Sequence, residues 1–595
     1  MENFTIVRLT DYGASPDTGK DATIPMRLAL AEAARTEGPV LLDCPQGRYD
    51  FYPADAAKVP YYVSNTASKE ENGDVTKTIG VYMTGQKNLV IEGNGSSFVY
   101  HGKMTMMVLD GCERVELRNF NADYAFPTMA EMTVERSEEG CIETVVHPDT
   151  RYAVEDGKLD WIGEGWKFRQ GPMQVYDPVT DMTRRVDNWV ASASQVEPLG
   201  ERRLRFVGKE IPSLPPGTVL QMRDGLRDQV GTFVTGSSDV RWSNVGMFYM
   251  HGLGIICQYS TELSFDRMNL APQEGSGRTA AAFADFIHLS GCRGKISVTN
   301  SRFVGGHDDP INVHGTHLIA VGQPSETELI VRFMHPQTYG FAAFHPEDEI
   351  EFVQPNTLVG YGVGKIVAVE PINVFDIRLK LEKSVPASFR IGDAIENVTW
   401  TPEVEIRNND FSRIPTRGVL ITTRRKVIIA DNRFKRMTMS AILIADDALS
   451  WYESGRVADV VIRGNVFTEC GGNEHPVIRI EPENSAVSTE MPVHRNIRIE
   501  GNRFIMNEAA ALHAKSTEDL VFSGNELVLS DRIKTELPTA SHIHLTACKD
   551  TEITGNEVIG GTHRLSVRLE SMNRKELHGY AETEIEVTEE ETTHE

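Results

Sequence analysis

The sequence predicts an all-β fold, a right-handed parallel β-helix interrupted by two inserted antiparallel β modules. Three observations carry this. The first is a short phrase that keeps returning: "VVIRGNVF" (460–467), "IRIEGNRF" (497–504), "LVFSGNEL" (520–527) and "TEITGNEV" (551–558). Looser copies are "LVIEGNGS" (89–96), "ISVTNSRF" (296–303), "EIRNNDF" (405–411) and "IIADNRF" (428–434). The second is its spacing. Asn409, Asn432, Asn465, Asn502, Asn525 and Asn556 stand 23, 33, 37, 23 and 31 residues apart, a basic period of 23 with loop insertions. The third is the alternation inside each phrase, which sends Val, Ile and Phe to one face of a short strand. Coils of three short strands stacked on one another meet all three conditions, with asparagine at a corner adopting a left-handed conformation and bonding its amide to the next coil. Propeller blades of ~40 residues and the leucine pattern of leucine-rich repeats do not match. Parallel crossovers are right-handed by default.

The elements follow in order. Residues 1–130 hold a cap and the first coils. "DYGASPDTGKDATIPMRLALAEAA" (11–34) reads as a polar opening and an amphipathic helix, and "GPVLLDCPQGRYDF" (38–51) as a strand and turn. This resembles the capping segment of pectate-lyase-like β-helices, where a helix covers an end that would expose unpaired strands. Residues 131–230 lack the asparagine phrase and read as short charged strands, as in "RRLRFVGKEI". Coils resume over 231–317. Residues 318–400 form the second insertion ("ELIVRFM", "DEIEFVQ", "GKIVAVEPIN", "DIRLKLEK"). Coils return over 401–580, and the acidic tail 581–595 is expected to fray.

Composition narrows the function. The chain has 595 residues with 60 Lys+Arg against 85 Asp+Glu, a formal charge of −25. That field repels phosphate backbones and anionic lipid, so nucleic acid and membrane surfaces are poor partners. The seven cysteines are scattered without CxxC or zinc spacing and read as buried thiols. No run approaches the ~18 apolar residues of a membrane helix. The opening "MENFTIVRLTDYGAS" shows no secretion signal. The compartment is therefore cytoplasmic, or periplasmic or extracellular if a signal has been removed.

The chemistry concentrates in "FVGGHDDPINVHGTH" (303–317). Asp285, in "ADFIHLSGCRG", precedes Asp308 by 23 residues and Asp309 by 24, which is one coil. Neighbouring coils stack about 4.8 Å apart, so Asp285 and one of the pair face each other laterally. Adjacent strand residues point oppositely, so Asp308 and Asp309 share a task only if a bulge turns one of them. Crowded carboxylates separate their pKa values, and one protonated beside one ionised is what glycoside hydrolysis requires. His307, His314 and His317 are read as bonding sugar hydroxyls or packing in the core in preference to holding a metal, and Asn312 and His314, which share a strand face with each other and not with Asp309, are binding candidates. Arg424 and Arg425, read as lying on a strand after "LITT", supply forked donors for hydroxyls or a carboxylate. Trp451, in the loop "DDALSWYESG", supplies an apolar platform for a sugar ring. Nothing in the spacing ties Asn65 or Asp123 to this group.

"GGHDDPINVHGTH" (305–317), "RGVLITTRRKVIIADNRF" (417–434) and "AILIADDALSWYESGRVADVVIRGNVF" (441–467) resemble signature segments of glycoside hydrolase family 110. The resemblance covers most of the chain. It implies that both inserted modules are β-barrels. It further implies an exo-acting α-galactosidase that inverts configuration, needs no metal or other cofactor, and removes terminal α-1,3-linked galactose from blood-group-B-like or linear glycans. The partner it implies is an oligosaccharide or glycoconjugate ending in α-galactose; a homodimer is an open expectation. Asp285, Asp308 and Asp309 then form the catalytic centre, with Asp285 as acid and Asp308 or Asp309 as base, aided by a carboxylate of "HPEDEIEF" (345–352). A calcium-dependent polysaccharide lyase with "RRK" (424–426) as base, and a non-catalytic glycan-binding β-helix, are the competing readings.

Overall fold

The computed structural model describes residues 4–590 except 473, 531–540, 560–563, 582 and 584. Stacked parallel strands build the body. One face runs through Thr76–Thr84, Thr105–Asp110, Thr232–Thr235, Ile255–Gln258, Ile287–Ser290 and Ile311–Ser325, each paired parallel to the next. It continues through Val419–Ile421, Ile442–Ile444, Ile478–Ile480, Leu512–Lys515, Ile543–Thr546 and Leu565–Glu570. The interior holds stacked apolar side chains. Phe303, Phe411, Phe434, Phe467 and Phe504 form one column with ring centroids 4.7–5.2 Å apart.

The asparagine phrase has a structural cause that differs from expectation in one respect. Each asparagine amide bonds the next: Oδ1 of Asn465 accepts from both the backbone N and Nδ2 of Asn432 at 3.0 Å, and Asn502 does the same for Asn465. In the six copies from Asn409 to Asn556 the left-handed residue is not the asparagine but the one before it, namely Asn408, Asp431, Gly464, Gly501, Gly524 and Gly555, with φ between 56° and 63°, whereas in the looser copies Asn94 and Asn300 are themselves left-handed, at 51° and 54°. The corner thus divides its labour between a residue that tolerates positive φ and an amide that satisfies buried backbone groups.

The helix Thr23–Arg35 lies over the first coils, burying Met26, Ala29, Leu30 and Ala33. The first insertion is an antiparallel seven-stranded sheet, from Met129–Glu138 to Val219–Arg223, with a three-stranded sheet beside it. It encloses its own core around Trp161, Trp189 and Phe206. The second insertion closes on itself. Ile311–Ser325 pairs with Glu328–Arg332, which pairs with Asp376–Leu381, then Val359–Pro371, Glu349–Gln354 and Ala394–Asn397, and so back to Ile311–Ser325. Part of the acidic tail departs from the expected fraying. Ile585–Glu590 adds a parallel strand to Leu565–Glu570, because Ile585 and Val587 continue the apolar face of the sheet.

Candidate active site

A cavity of about 440 Å³ opens on the long sheet face, within the ~300–1,000 Å³ range of small-ligand sites. Its floor comes from the coils (Asp285, His288, Asp308, Asp309, Asn312, Arg417), one wall from the first insertion (Met173, Gln174, Arg185, Arg223) and another from Asp447, Trp451 and Glu453. The coil register sets the floor. Ile287 pairs with Ile311 and Ile311 with Val419, so Asp285, Asp309 and Arg417 occupy corresponding places on three successive coils. Asp308 and Asp309 lie in a turn before the strand Ile311–Ser325, not on a strand, so alternation does not separate them and both face the cavity. Gly305 makes that turn feasible. Its φ is +77°, and a Cβ there would come within 2.3 Å of the Thr279 carbonyl oxygen.

The three aspartates have three different environments. Asp285 is buried, with Oδ2 2.8 Å from His288 Nδ1. Burial first, then the charge of Asp308, pushes its carboxyl up to about 8 against the pull of Arg227 and Arg417. Asp309 sits in the fork of Arg417, with Nε 3.0 Å from Oδ1 and Nη2 2.5 Å from Oδ2. Burial, with Asp308 and Asp285, still raises it to about 6. Asp308 is the more exposed, 3.2 Å from Arg185 and 3.3 Å from Arg227. Burial acts to raise its pKa, but Arg185, Arg417, Arg227 and Arg223 together hold it below the usual aspartate value. One carboxyl is thus kept protonated and another ionised in a single cavity.

Glu453 is the fourth carboxylate. It reaches the cavity because Glu453–Ser454 folds back antiparallel to Gly315–Thr316. Asn65 Nδ2 donates to Oε1 at 2.7 Å. Burial opposes its ionisation, yet its surroundings, Asn65 and Arg417 among them, hold its pKa below the ordinary glutamate value. At the far end, burial with Asp447, Glu453 and Glu481 pushes Glu483 up to about 7. Asp447 accepts from the backbone N of Leu449, Ser450, Trp451 and Tyr452, which fixes the loop carrying Trp451. Trp451 is 42% exposed at the cavity mouth, its ring stacked on His335 at 4.2 Å.

The remaining sequence candidates divide. Asn312 lines the cavity and donates to Glu453 at 3.5 Å. His307 lines it too, but Nε2 meets Gln221 at 3.1 Å and Nδ1 accepts from Arg223 at 3.3 Å, so its ring holds the first insertion in place. His314 is not a lining residue; it lies behind His288. His317 donates to the Asp447 carbonyl. Arg424 and Arg425 lie outside the cavity, on a turn after the strand Val419–Ile421. Arg424 pairs with Glu351 at 2.8 Å and with Glu396, and Arg425 bonds Thr401. The carboxylates of 345–352 do not line it either; Glu351 is taken by Arg424 and Arg456. Asp123 pairs with Arg278, whereas Asn65 does join the site. The sequence reading missed Arg185, Arg223, Arg227, His288, Arg417 and Glu453. Among the described residues, no group of three or more His, Cys, Asp or Glu side chains is arranged to hold a metal ion.

Residues 130–220 match the GLAA-B beta-barrel domain I family, residues 328–395 the GLAA-B beta-barrel domain II family, and residues 394–567 the right handed beta helix region. A relative from Bacteroides thetaiotaomicron named alpha-1,3-galactosidase A is 42% identical over 550 residues, covering 91% of this chain and 95% of that protein. One of the same name from Bacteroides fragilis is 39% identical over 576 residues, covering 96% and 95%. An alpha-1,3-galactosidase B from Bacteroides thetaiotaomicron is 34% identical over 585 residues, covering 96% and 94%.

Proposed function

The chain belongs to the α-1,3-galactosidase family, glycoside hydrolase family 110 with its two GLAA-B barrel domains, and on that premise we propose that it removes terminal α-1,3-linked galactose from glycans with inversion of configuration. The observation that carries the reading is that Asp285, buried against His288, and Asp308, beside Arg185 and Arg227, face one walled cavity, surroundings that favour a protonated carboxyl on the first and an ionised one on the second. Asp285 donates its proton to the glycosidic oxygen as the bond to the anomeric carbon breaks. Asp308 orients a water on the opposite face of the ring and takes its proton. Asp309 acts through Arg417, holding the guanidinium beside the base. Glu453, ionised and near Asp285, complements the positive charge that develops on the sugar ring. Trp451, at the mouth, offers its face to the sugar next to the galactose. Glycans ending in this linkage, linear or of the blood-group-B type, are the substrate class. No helix among the described residues is long and apolar enough to cross a membrane.

Incubation with an α-1,3-linked galactosyl disaccharide tests the reading. Free galactose is expected, at a rate indifferent to chelator and with no ultraviolet-absorbing sugar end. An unsaturated product whose formation needs calcium would replace hydrolysis by a lyase reaction, and binding without turnover would leave only a glycan-binding protein.

A further inference from the structure

His288, in the cavity floor, and His314, behind it, have no role in the proposed reaction, yet both are buried and linked in a chain to Asp285. Asp285 Oδ2 lies 2.8 Å from His288 Nδ1, His288 Nε2 lies 2.9 Å from His314 Nε2, and His314 Nδ1 lies 2.6 Å from the Gly315 carbonyl oxygen. The polarity of this chain is fixed from its far end. A carbonyl oxygen only accepts, so His314 Nδ1 carries hydrogen. A neutral His314 then accepts at Nε2, which puts the hydrogen of the imidazole–imidazole bond on His288. A neutral His288 accepts in turn at Nδ1, and the hydrogen in its bond to Asp285 must come from the carboxyl.

Sliding that proton inward makes one imidazole cationic and keeps every bond. Removing it leaves one contact with no hydrogen, either Asp285 against His288 or His288 against His314. Two acceptor lone pairs then face each other in a buried site, which is costly. We infer that His288 and His314 are positioning residues that hold a proton on Asp285, because the three-membered chain is satisfied only when it contains one. The inference rests on Asp285 being the acid of the proposed reaction. In that step the carboxyl turns its hydrogen from His288 Nδ1 towards the leaving oxygen, the Asp285 O–H bond breaks, an O–H bond forms on the leaving sugar, and the water's proton goes to Asp308. The ionised Asp285 that remains carries the unmatched contact, which favours its reprotonation from solvent before the next turnover.

The groups facing the chain agree with where the proton rests. Asp285 faces Asp308 and Asp309 from the next coil, Arg417 from the one after, Arg227 from the segment leaving the first insertion, and Glu453. His288 faces Glu453, Arg227, Asp309 and Asp308, and burial takes it down to about 4. His314 faces Glu453 at 3.7 Å, His288 and Asp285, and burial lowers it also. Neither imidazole competes for the proton at neutral pH.

The test is the pH profile of kcat/KM on the α-1,3-linked disaccharide for the full-length chain. His314→Leu lets His288 turn its N–H towards an ionised Asp285, so the alkaline limb is expected to move down by about one pH unit or more, a tenfold or greater change in acid dissociation. His314→Gln keeps a donor for Gly315 and an acceptor for His288, and its limb is expected near the wild-type position. His288→Asn, whose amide can donate to an ionised Asp285, is expected to behave like the leucine variant and decides alone if that variant does not fold. A purely structural role would lower kcat/KM equally at all pH values and leave the limb in place, which overturns the inference. A limb that persists in Asp285→Asn would instead overturn the assignment of Asp285 as acid.

Discussion

Asp285→Asn lowers kcat on an α-1,3-linked galactosyl disaccharide by about 10²–10⁴-fold, the range expected when a positioned general acid is lost. The substitution keeps the side chain's shape and removes only the proton that a sugar leaving group needs. An aryl α-galactoside with an acidic phenol leaves without protonation, so its rate should fall far less. The wild-type profile carries the same signature. A carboxyl raised to about 8 is protonated and competent below that pH, so kcat/KM declines as pH rises through it. Asp308 is held below the usual aspartate value, so the acid limb lies below the ordinary carboxylate range. A variant equally impaired on both leaving groups would place Asp285 in binding rather than in proton transfer.

Arg424→Met destabilises the chain by about 3–5 kcal/mol while leaving KM for the disaccharide unchanged. The Arg424 guanidinium lies between the second insertion and the coils, bonded to Glu351 at 2.8 Å and to Glu396. Glu351 keeps Arg456 at 3.1 Å when Arg424 is gone, but Glu396 is 2% exposed and loses the charge that matches it. An uncompensated buried carboxylate is the expensive outcome, not the loss of the pair as such. The denaturant midpoint reads the loss. A variant of wild-type stability with KM raised tenfold would restore Arg424 to the sugar-binding role its sequence suggested.

The fold was legible because one asparagine per coil is a covalent record of the stack. Val404 pairs with Val427, Val427 with Val460, Val460 with Ile497 and Ile497 with Leu520, which reproduces the spacing of Asn409 to Asn525. The aspartates were legible by the same logic, since Asp285 and Asp309 are one coil apart. Arg417 obeys that logic too, but the second insertion stretches its separation from Asp309 to 108 residues, and only subtracting the insertion would have revealed it. His288 stood in view three residues after Asp285. Arg185, Arg223 and Arg227 left no such trace. They come from the first insertion and the segment leaving it, whose docking on the coils is tertiary and bears no relation to the period. Glu453 was hidden for a similar reason, because a loop folding back onto Gly315–Thr316 is not written in strand alternation.

The most direct test of the account is the anomeric configuration of galactose in the first minutes of hydrolysis, followed by proton NMR on an α-1,3-linked galactosyl disaccharide before mutarotation mixes the anomers. Displacement by a water held at Asp308, opposite the proton donor Asp285, predicts β-galactose first. α-Galactose first would mean a covalent intermediate and a nucleophile where the account places a base, and would contradict it.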